Sequence, residues 1–493
     1  MQFITIAFLV FLGIACLVYF VLPLSCRSFW LLVCSYLFYL YNPANVGFVV
    51  LLFSATLVTY TAALAVERLK NIAVKRVFLG AGLAVCFGSL FFYKYFTFFT
   101  KLVTDLFATF GAKLEPPSFS LALPLGISYF TFMAVGYLLD VYKGKQKAER
   151  NFFYYALFVS FFPCIVTGPI ERAGNMLPQF KNPVPFSYNR VAGGLFRVLW
   201  GFFKKLVIAD AIGKVVSVVF INYTTYTGPT LVLACLLFSY ELYCDFSACS
   251  DIAIGAASIF GIKVMENFAR PLAASSFTDL WRRWHISLTS WLRDYIYIPL
   301  GGNRKGKVRM YVNQIIVFLI SGLWHGASMC YCVWGLLNGV YLCVGKATAK
   351  LRVQMDKHNP LYYFKIPRYI IKNCITYLLF TSCIVFFAAA SYGGDISTAF
   401  GVYGGIMKGW EAFFTNAATM TAELTRAGFA LNTTIVVIIS VMIVEMLEAI
   451  HPIINKGIRR VFILIRWPLY YALILMILFF GEFGKNSFFY QNL

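Results

Sequence analysis

Two of the four histidines lie where an imidazole could carry out acid–base chemistry. His325 lies between Trp324 and Gly326 in an apolar stretch, and His285 lies among tryptophans and arginines in residues 279–307. An imidazole titrates near neutral pH and therefore suits proton transfer. At membrane depth it needs a polar partner or water, because an unpaired polar group there is costly. From these residues alone, His325 is either a catalytic group or a histidine that joins two helices by a hydrogen bond.

The other two histidines have weaker surroundings for catalysis. His358 lies in a basic loop beside Pro360, and His451 precedes Pro452 at the end of an apolar run. We expect both side chains to face water or lipid headgroups.

The segment around His285 is rich in aromatic and cationic side chains. Its aromatic residues, a set typical of a membrane interface, are Trp281, Trp284, Trp291, Tyr295 and Tyr297. Its arginines, which suit a phosphate-bearing substrate, are Arg282, Arg283, Arg293 and Arg304. An interfacial anchoring helix is the simpler interpretation. It does not explain Asp294 or the glycine turn before Asn303, so we include both residues among the candidate substrate-binding side chains.

Three carboxylates lie in an apolar, helix-like context just upstream. They are Glu241, Asp245 and Asp251. Carboxylates in such surroundings are costly unless they are paired or hydrated. Pairing with Arg282 and Arg283 would make them structural supports, and direct contact with substrate would make Asp245 and Asp251 part of the site.

The composition indicates the kind of fold that positions these residues. Of the 493 residues 60% are apolar, 18% are aromatic and only 13% are charged, and the mean hydropathy is +0.75. A soluble domain normally carries about a quarter charged residues. The sequence therefore excludes a water-soluble fold and predicts an all-α polytopic membrane protein, a bundle of transmembrane helices.

Apolar runs of spanning length recur along the chain. The uninterrupted runs are 1–22, 44–66, 77–100, 229–260, 311–345, 368–392, 431–450 and 463–481. Runs that are shorter, or that contain glycine or proline, are 29–42, 122–140, 152–168 and 191–221. A helix needs about 20 residues to cross the hydrocarbon core, so we predict about eleven to thirteen transmembrane or re-entrant helices. We expect the first run to be retained rather than cleaved.

The net charge of +22 has a topological explanation. Basic residues collect in short loops, for example Arg68 to Arg76 and Lys143 to Arg150, as the positive-inside rule requires. This pattern predicts cytoplasmic loops and an extracytoplasmic N-terminus, with lipid rather than nucleic acid as the surrounding partner. The 13 cysteines form no metal-binding spacing, and we predict no metal site and no bound cofactor.

Three regions are expected along the chain. Residues 1–345 form the core, 346–367 form a basic loop with two prolines, and 368–493 form a C-terminal helical extension with little obvious chemistry. Residues 393–430 within the extension are expected to be a long loop.

Several motifs then resemble one known family. They are YCDFSACSDIAIG (243–255), ENFARP (266–271), LWRRWHISLTSWLRDYIYIPLGGNR (280–304) and GLWHGA (322–327), with further matches at 127–144, 161–172 and 201–210. In this order they resemble the membrane-bound O-acyltransferases, specifically the bacterial branch that acetylates alginate. Ala248 and Cys249 depart from the Gly-Tyr that the branch pattern contains, and this bears on the branch more than on the family.

The resemblance implies a function and a site. It implies the helical membrane fold of the membrane-bound O-acyltransferases (MBOAT), with a catalytic tunnel. It also implies two active-site histidines, His325 as general base and His285 as a residue that positions substrate or stabilises charge. It also implies transfer of an acetyl group from a cytoplasmic thioester, acetyl-CoA or an acyl carrier, towards a cell-surface or secreted polysaccharide. An extracytoplasmic esterase-like partner commonly completes that transfer. D-alanyl transfer to teichoic acid and a transporter or flippase remain as alternatives.

Overall fold

The computed structural model describes residues 1–111, 122–358, 363–429 and 463–483, together with positions 439 and 444. Every long regular element in these ranges is a helix, and none of the described residues forms a strand. The predicted all-α, polytopic membrane fold is confirmed. Among the described residues, four helices are long and apolar enough to cross a bilayer by length and composition, at Phe48–Arg68, Ile72–Thr109, Gly228–Ile259 and Lys365–Ser391. The expected total of about eleven to thirteen remains a prediction.

The chain forms two compact units. The N-terminal unit comprises residues 1–198 and 250–266, and the C-terminal unit comprises 199–249 and 267–493. Two of their three boundaries along the chain fall inside helices, α10 (Tyr188–Phe203) and α12 (Gly228–Ile259), and the third lies at 266/267.

The N-terminal unit is built on nine helices among the described residues. They are α1 Ile6–Val21, α2 Leu24–Leu40, α3 Phe48–Arg68, α4 Ile72–Leu90, α5 Phe96–Thr109, α6 Ile127–Tyr142, α7 Phe152–Ser160, α8 Phe162–Ile165 and α9 Ala173–Lys181. Helices α3, α4 and α6 pack against one another, and α7 packs against α2 and α9. The side chain of Glu67 at the end of α3 forms an ion pair with Arg150 and accepts a hydrogen bond from the backbone N–H of Ala148 at 3.2 Å. This contact joins the end of α3 to the segment before α7.

The C-terminal unit holds the remaining helices of the described chain. They are α11 Asp210–Ile221, α13 Phe277–Arg283, α14 Ile286–Leu292, α15 Lys307–His325, α16 Met329–Ala347, α17 Ala349–His358, α18 Lys365–Ser391, α19 Ile396–Ile406, α20 Trp410–Thr415, α21 Ala417–Arg426 and α22 Ile463–Phe480. Helix α16 packs against α13, α15 and α18, and α18 packs against α19.

Helices α15 and α16 form a close hairpin because glycines line their contact. A Cβ at Gly322 would lie 2.2 Å from the carbonyl oxygen of Tyr331, and one at Gly335 would lie 2.3 Å from that of Phe318. Both distances are far shorter than a real contact allows, so only glycine fits at either position. The hairpin therefore fixes the place of His325 at the end of α15.

Two of the expected apolar runs and one expected loop differ in the structure. The run 311–345 is broken at Gly326, where the backbone is extended and Ser328 caps α16 through a hydrogen bond from the N–H of Cys330. The run 152–168 is broken at Phe161 into two short helices. The expected loop 393–430 is wrong, because three helices occupy most of it.

One apolar run was predicted to be shorter than the helix that contains it, and another cannot be compared with the structure. The run 77–100 belongs to a helix over Ile72–Thr109 that continues through a π-helical segment at Phe91–Tyr95. The predicted run 431–450 falls outside the described residues except for two positions, and His451 lies outside them as well.

Candidate active site

Aromatic rings enclose His325 at the tip of the α15–α16 hairpin. Its ring centroid lies 5.0 Å from that of Trp334, 5.1 Å from that of Trp324 and 5.4 Å from that of Phe387. Only 2% of the His325 side chain is exposed. Trp334 belongs to α16 and Phe387 to α18, so three helices of the C-terminal unit build this cluster.

His285 lies in the same cluster. It is the residue between α13 and α14, where its backbone adopts the left-handed conformation with φ 44° and ψ 54°. Its ring centroid lies 4.6 Å from that of Phe246, 5.6 Å from that of Trp324 and 6.4 Å from that of His325. Two histidines that are 40 positions apart in the sequence therefore share one buried, aromatic-lined site.

A polar group holds one nitrogen of the His285 ring. Its Nδ1 lies 3.1 Å from Oδ1 of Asn267, a fully buried side chain. The same oxygen accepts hydrogen bonds from the backbone N–H of Ser287 at 3.2 Å and from its hydroxyl at 2.9 Å. His285 lies outside the apolar helices, and burial lowers its pKa to about 3, so the imidazole is neutral at physiological pH.

Two tryptophans near His325 carry buried N–H groups. The ring centroid of Trp281 lies 5.8 Å from that of Trp334 and 4.8 Å from that of Phe318. Within the described part of the chain, neither indole nitrogen, of Trp281 or of Trp334, has a hydrogen-bond acceptor. A buried donor usually has a partner, so these two N–H groups are suited to an oxygen atom of a ligand or of water.

The predicted site residues divide into buried and exposed sets. Trp281, Trp284 and Trp324 are buried. Arg282, Arg293 and Asn303 lie at the surface, outside the buried cluster. Of the two half-exposed residues, Arg283 pairs with Asp279 at 2.9 Å, and Asp294 pairs with Arg293 at 2.9 Å.

The carboxylates have other partners than those expected. Asp245 is buried and pairs with Lys205, with 2.6 Å between Oδ1 and Nζ, and Lys205 also pairs with Asp210 at 2.8 Å. Asp251 lies in the N-terminal unit and pairs with Arg197 at 2.9 Å. The expectation that Arg282 and Arg283 would pair with these acids is wrong. The physical reason is proximity: the cations come from α10 and the π-helical segment Lys204–Ala209 that follows it.

The sequence did not single out several residues around the site. Lys204 donates to the hydroxyl of Ser247 at 2.7 Å, and the hydroxyl of Tyr392 donates to both carboxylate oxygens of Glu241 at 3.2 Å. Asn267 lies in the motif ENFARP (266–271), but no role in the site was predicted for it from the sequence. Its polar side chain within the motif ENFARP was the available signal, whereas Phe387 in an ordinary apolar helix offered none.

No three His, Cys, Asp or Glu side chains in the described ranges are arranged to hold a metal ion. The polar groups of the cluster are two imidazoles, the indole N–H groups of Trp281, Trp324 and Trp334, and one carboxamide. Such a set can move a proton and can stabilise negative charge on an oxygen atom.

Comparisons with known proteins give a consistent result. The sequence model of the membrane-bound O-acyltransferase family matches residues 145–388. The chain is 36% identical over 402 residues to the probable alginate O-acetylase of Pseudomonas putida, covering 80% of this chain and 78% of that protein. It is 35% identical over 425 residues to the peptidoglycan O-acetyltransferase of Helicobacter pylori, covering 80% of this chain and 78% of that protein.

A more distant similarity points to another acyl group. The chain is 29% identical over 269 residues to the teichoic acid D-alanyltransferase of Bacillus subtilis, covering 50% of this chain and 67% of that protein. The segment matched by the family, residues 145–388, contains both histidines of the cluster as well as Asn267, Trp334 and Phe387.

Proposed function

We propose that the protein moves an acetyl group from a cytoplasmic thioester for O-acetylation of a cell-surface or secreted polysaccharide. The chain belongs to the membrane-bound O-acyltransferase family, and this membership supports the proposal. Membership makes the protein a multi-pass membrane acyltransferase. The observation that carries the proposal is the burial of His285 and His325 in one aromatic cluster, with ring centroids 6.4 Å apart.

His325 is the proposed general base. It takes the proton of the acceptor hydroxyl as that oxygen attacks the acyl carbonyl carbon. The C–O bond of the new ester then forms, the C–S bond breaks, and the thiolate of the donor leaves and takes up a proton. His285 contacts the substrate from the other side of the cluster and helps to position it.

The indole N–H groups of Trp281 and Trp334 are the proposed stabilisers of the developing charge. Negative charge appears on the carbonyl oxygen when the acceptor attacks, and a preorganised N–H donor in a water-excluded site stabilises it strongly. Buried N–H groups that have no acceptor within the described residues support this role.

The donor is proposed to be acetyl-CoA or an acyl carrier thioester. Both present a phosphate group, and the exposed Arg282 and Arg293, with Asn303, offer cationic and hydrogen-bonding groups for it. The ring of Trp324 packs against both histidines, and the ring of Trp284 packs against those of Tyr243 and Phe380. Asp245 supports α12 through its pair with Lys205. Arg283, Asp294 and Asp251 remain proposed contributors to substrate binding.

The acceptor and the cellular arrangement are also proposals. Two relatives that are each covered over 78% of their length are named as a probable alginate O-acetylase and a peptidoglycan O-acetyltransferase, which supports a glycan acceptor and an acetyl group. The immediate acceptor is either the polymer or an extracytoplasmic esterase-like partner. We place the protein in the bacterial cytoplasmic membrane with its N-terminus outside, in agreement with the positive-inside pattern.

Membranes that contain the protein test this function with acetyl-CoA labelled in the acetyl group. The expected result is release of free thiol together with labelled O-ester in the glycan fraction, above the level of membranes without the protein. D-alanyl carrier thioester, supplied in parallel, is expected to give less product. Preferential consumption of the D-alanyl donor would favour the teichoic acid branch, and an intact thioester in both reactions would favour a transporter.

A further inference from the structure

The carboxamide of Asn267 has an orientation that its surroundings determine. A backbone N–H can only donate a hydrogen bond, and the N–H of Ser287 points to one atom of this carboxamide at 3.2 Å. That atom must therefore be the oxygen, Oδ1, and not the nitrogen. The hydroxyl of Ser287 also donates a hydrogen bond to this oxygen, at 2.9 Å.

This orientation decides which nitrogen of His285 carries the hydrogen. Nδ1 lies 3.1 Å from the Asn267 oxygen, which can only accept, so Nδ1 must be the N–H donor. In a neutral imidazole the other nitrogen, Nε2, then has a lone pair and no hydrogen. Burial keeps the imidazole neutral, as its lowered pKa indicates.

The backbone holds the two residues in this relation. The N–H of Ile286 donates to the carbonyl of Asn267 at 2.9 Å, and the N–H of Ala269 donates to the carbonyl of Arg283 at 3.0 Å. These bonds clamp the segment that follows α12 against the junction of α13 and α14. They also stabilise the left-handed conformation of His285, which is uncommon for a residue with a side chain.

The remaining surroundings of the His285 ring are mostly apolar. The rings of Phe246 and Trp324 pack against it, and the ring of His325, a titratable group, lies 6.4 Å away between centroids. On the neighbouring helix α12, the charge of Asp245 is paired with Lys205. The contact with Asn267 gives this ring a fixed polar partner at Nδ1.

We propose that Asn267 is a positioning residue that holds His285 as the Nδ1–H tautomer and so presents the lone pair of Nε2 to the substrate. This inference rests on the proposed acyl transfer and assigns a direction to one of its hydrogen bonds. His285 accepts a hydrogen bond at Nε2, from the acceptor hydroxyl or from His325. It does not donate one to the carbonyl oxygen, so charge stabilisation falls to other groups, such as the two indole N–H groups.

Nitrogen-15 NMR of the full protein in lipid nanodiscs tests the tautomer directly. The chain has only four histidines, so histidine labelling gives few signals, and the His285→Gln variant identifies those of His285. The expected result is a protonated Nδ1 and an unprotonated Nε2. Asn267→Leu is expected to mix or reverse the tautomers, whereas Ser287→Ala, which removes one donor to Asn267, is expected to keep them. A protonated Nε2 in the wild-type protein would overturn the inference, whatever the protein's activity.

The rate of transfer at different pH values separates positioning from a merely structural role. Asn267→Asp keeps an acceptor for Nδ1–H but adds negative charge, which favours protonated His285. Its transfer rate is expected to fall at a higher pH than that of the wild type as the solution is made acidic. Asn267→Leu is expected to lose up to about 10²-fold in rate, because a histidine in the wrong tautomer loses most of its catalytic effect. An unshifted acid limb in a folded Asn267→Asp variant would contradict the proposal.

Discussion

Replacing His325 by alanine is expected to lower the rate of acyl transfer by about 10²–10⁴-fold, the usual contribution of general acid–base catalysis. The imidazole lies within the aromatic cluster, in contact with the rings of Trp324, Trp334 and Phe387 and close to that of His285. His325→Gln is expected to lose nearly as much, because glutamine keeps hydrogen-bonding atoms and lacks a basic nitrogen. The measurement is the initial rate of labelled O-ester formation per mole of folded protein.

Two controls make this result specific. His358→Ala changes a histidine at the end of α17, away from the α15–α16 hairpin tip, and is expected to keep wild-type activity. Thermal unfolding in detergent verifies that the His325 variants fold, since removal of a buried ring also weakens packing. Near wild-type rates in folded His325→Gln would exclude His325 as the base.

Lys205→Met is expected to lower the free energy of unfolding by about 3–5 kcal/mol, the usual cost of breaking a buried ion pair by removing one partner. Lys205 is 2% exposed, and its Nζ lies between carboxylates of Asp245 and Asp210, at 2.6 Å and 2.8 Å. Without the cation, two buried carboxylates lose the positive charge that Lys205 supplies to both. The unfolding midpoint of the purified protein in a fixed detergent measures the loss.

A surface pair provides the matched control. Lys214 pairs with Glu482, and its side chain is 57% exposed, so Lys214→Met is expected to change stability by about 0–1 kcal/mol. Adding Asp245→Asn to Lys205→Met is expected to restore part of the loss, because one uncompensated charge is then removed. Equal effects of the Lys205 and Lys214 substitutions would contradict the structural role of the buried pair.

The sequence located the two histidines but not the whole of their surroundings. His285 and His325 stood out because ionisable residues in apolar context are rare, and the structure brings their rings together. Phe387 was not foreseen. It belongs to α18, in a region where the sequence shows only an apolar helix, yet its ring lies 5.4 Å from that of His325. Apolar side chains carry no sequence signal for which cluster they join.

The positions of helix breaks were harder to predict than the helices themselves. Residues 311–345 are mostly apolar, and hydropathy alone does not divide them. The break at Gly326 depends on local chemistry, the conformational freedom of glycine and a serine cap at Ser328. The partner of Asp245 depends on tertiary contacts. For that reason the sequence suggested nearby arginines, whereas the structure shows Lys205.

The acyl donor's point of contact is the most direct test of the account. A pantetheine thioester, the chemistry shared by coenzyme A and acyl carriers, is prepared with a photoreactive diazirine in its acyl group and added to the protein in nanodiscs. After irradiation, mass spectrometry identifies the labelled peptides. We expect label on peptides that contain Trp324, Trp334 or Phe387, and we expect it to disappear when excess acetyl-CoA is present. Label confined to peptides outside this cluster, or label that acetyl-CoA does not compete away, would contradict the assignment of the histidine cluster as the site of acyl transfer.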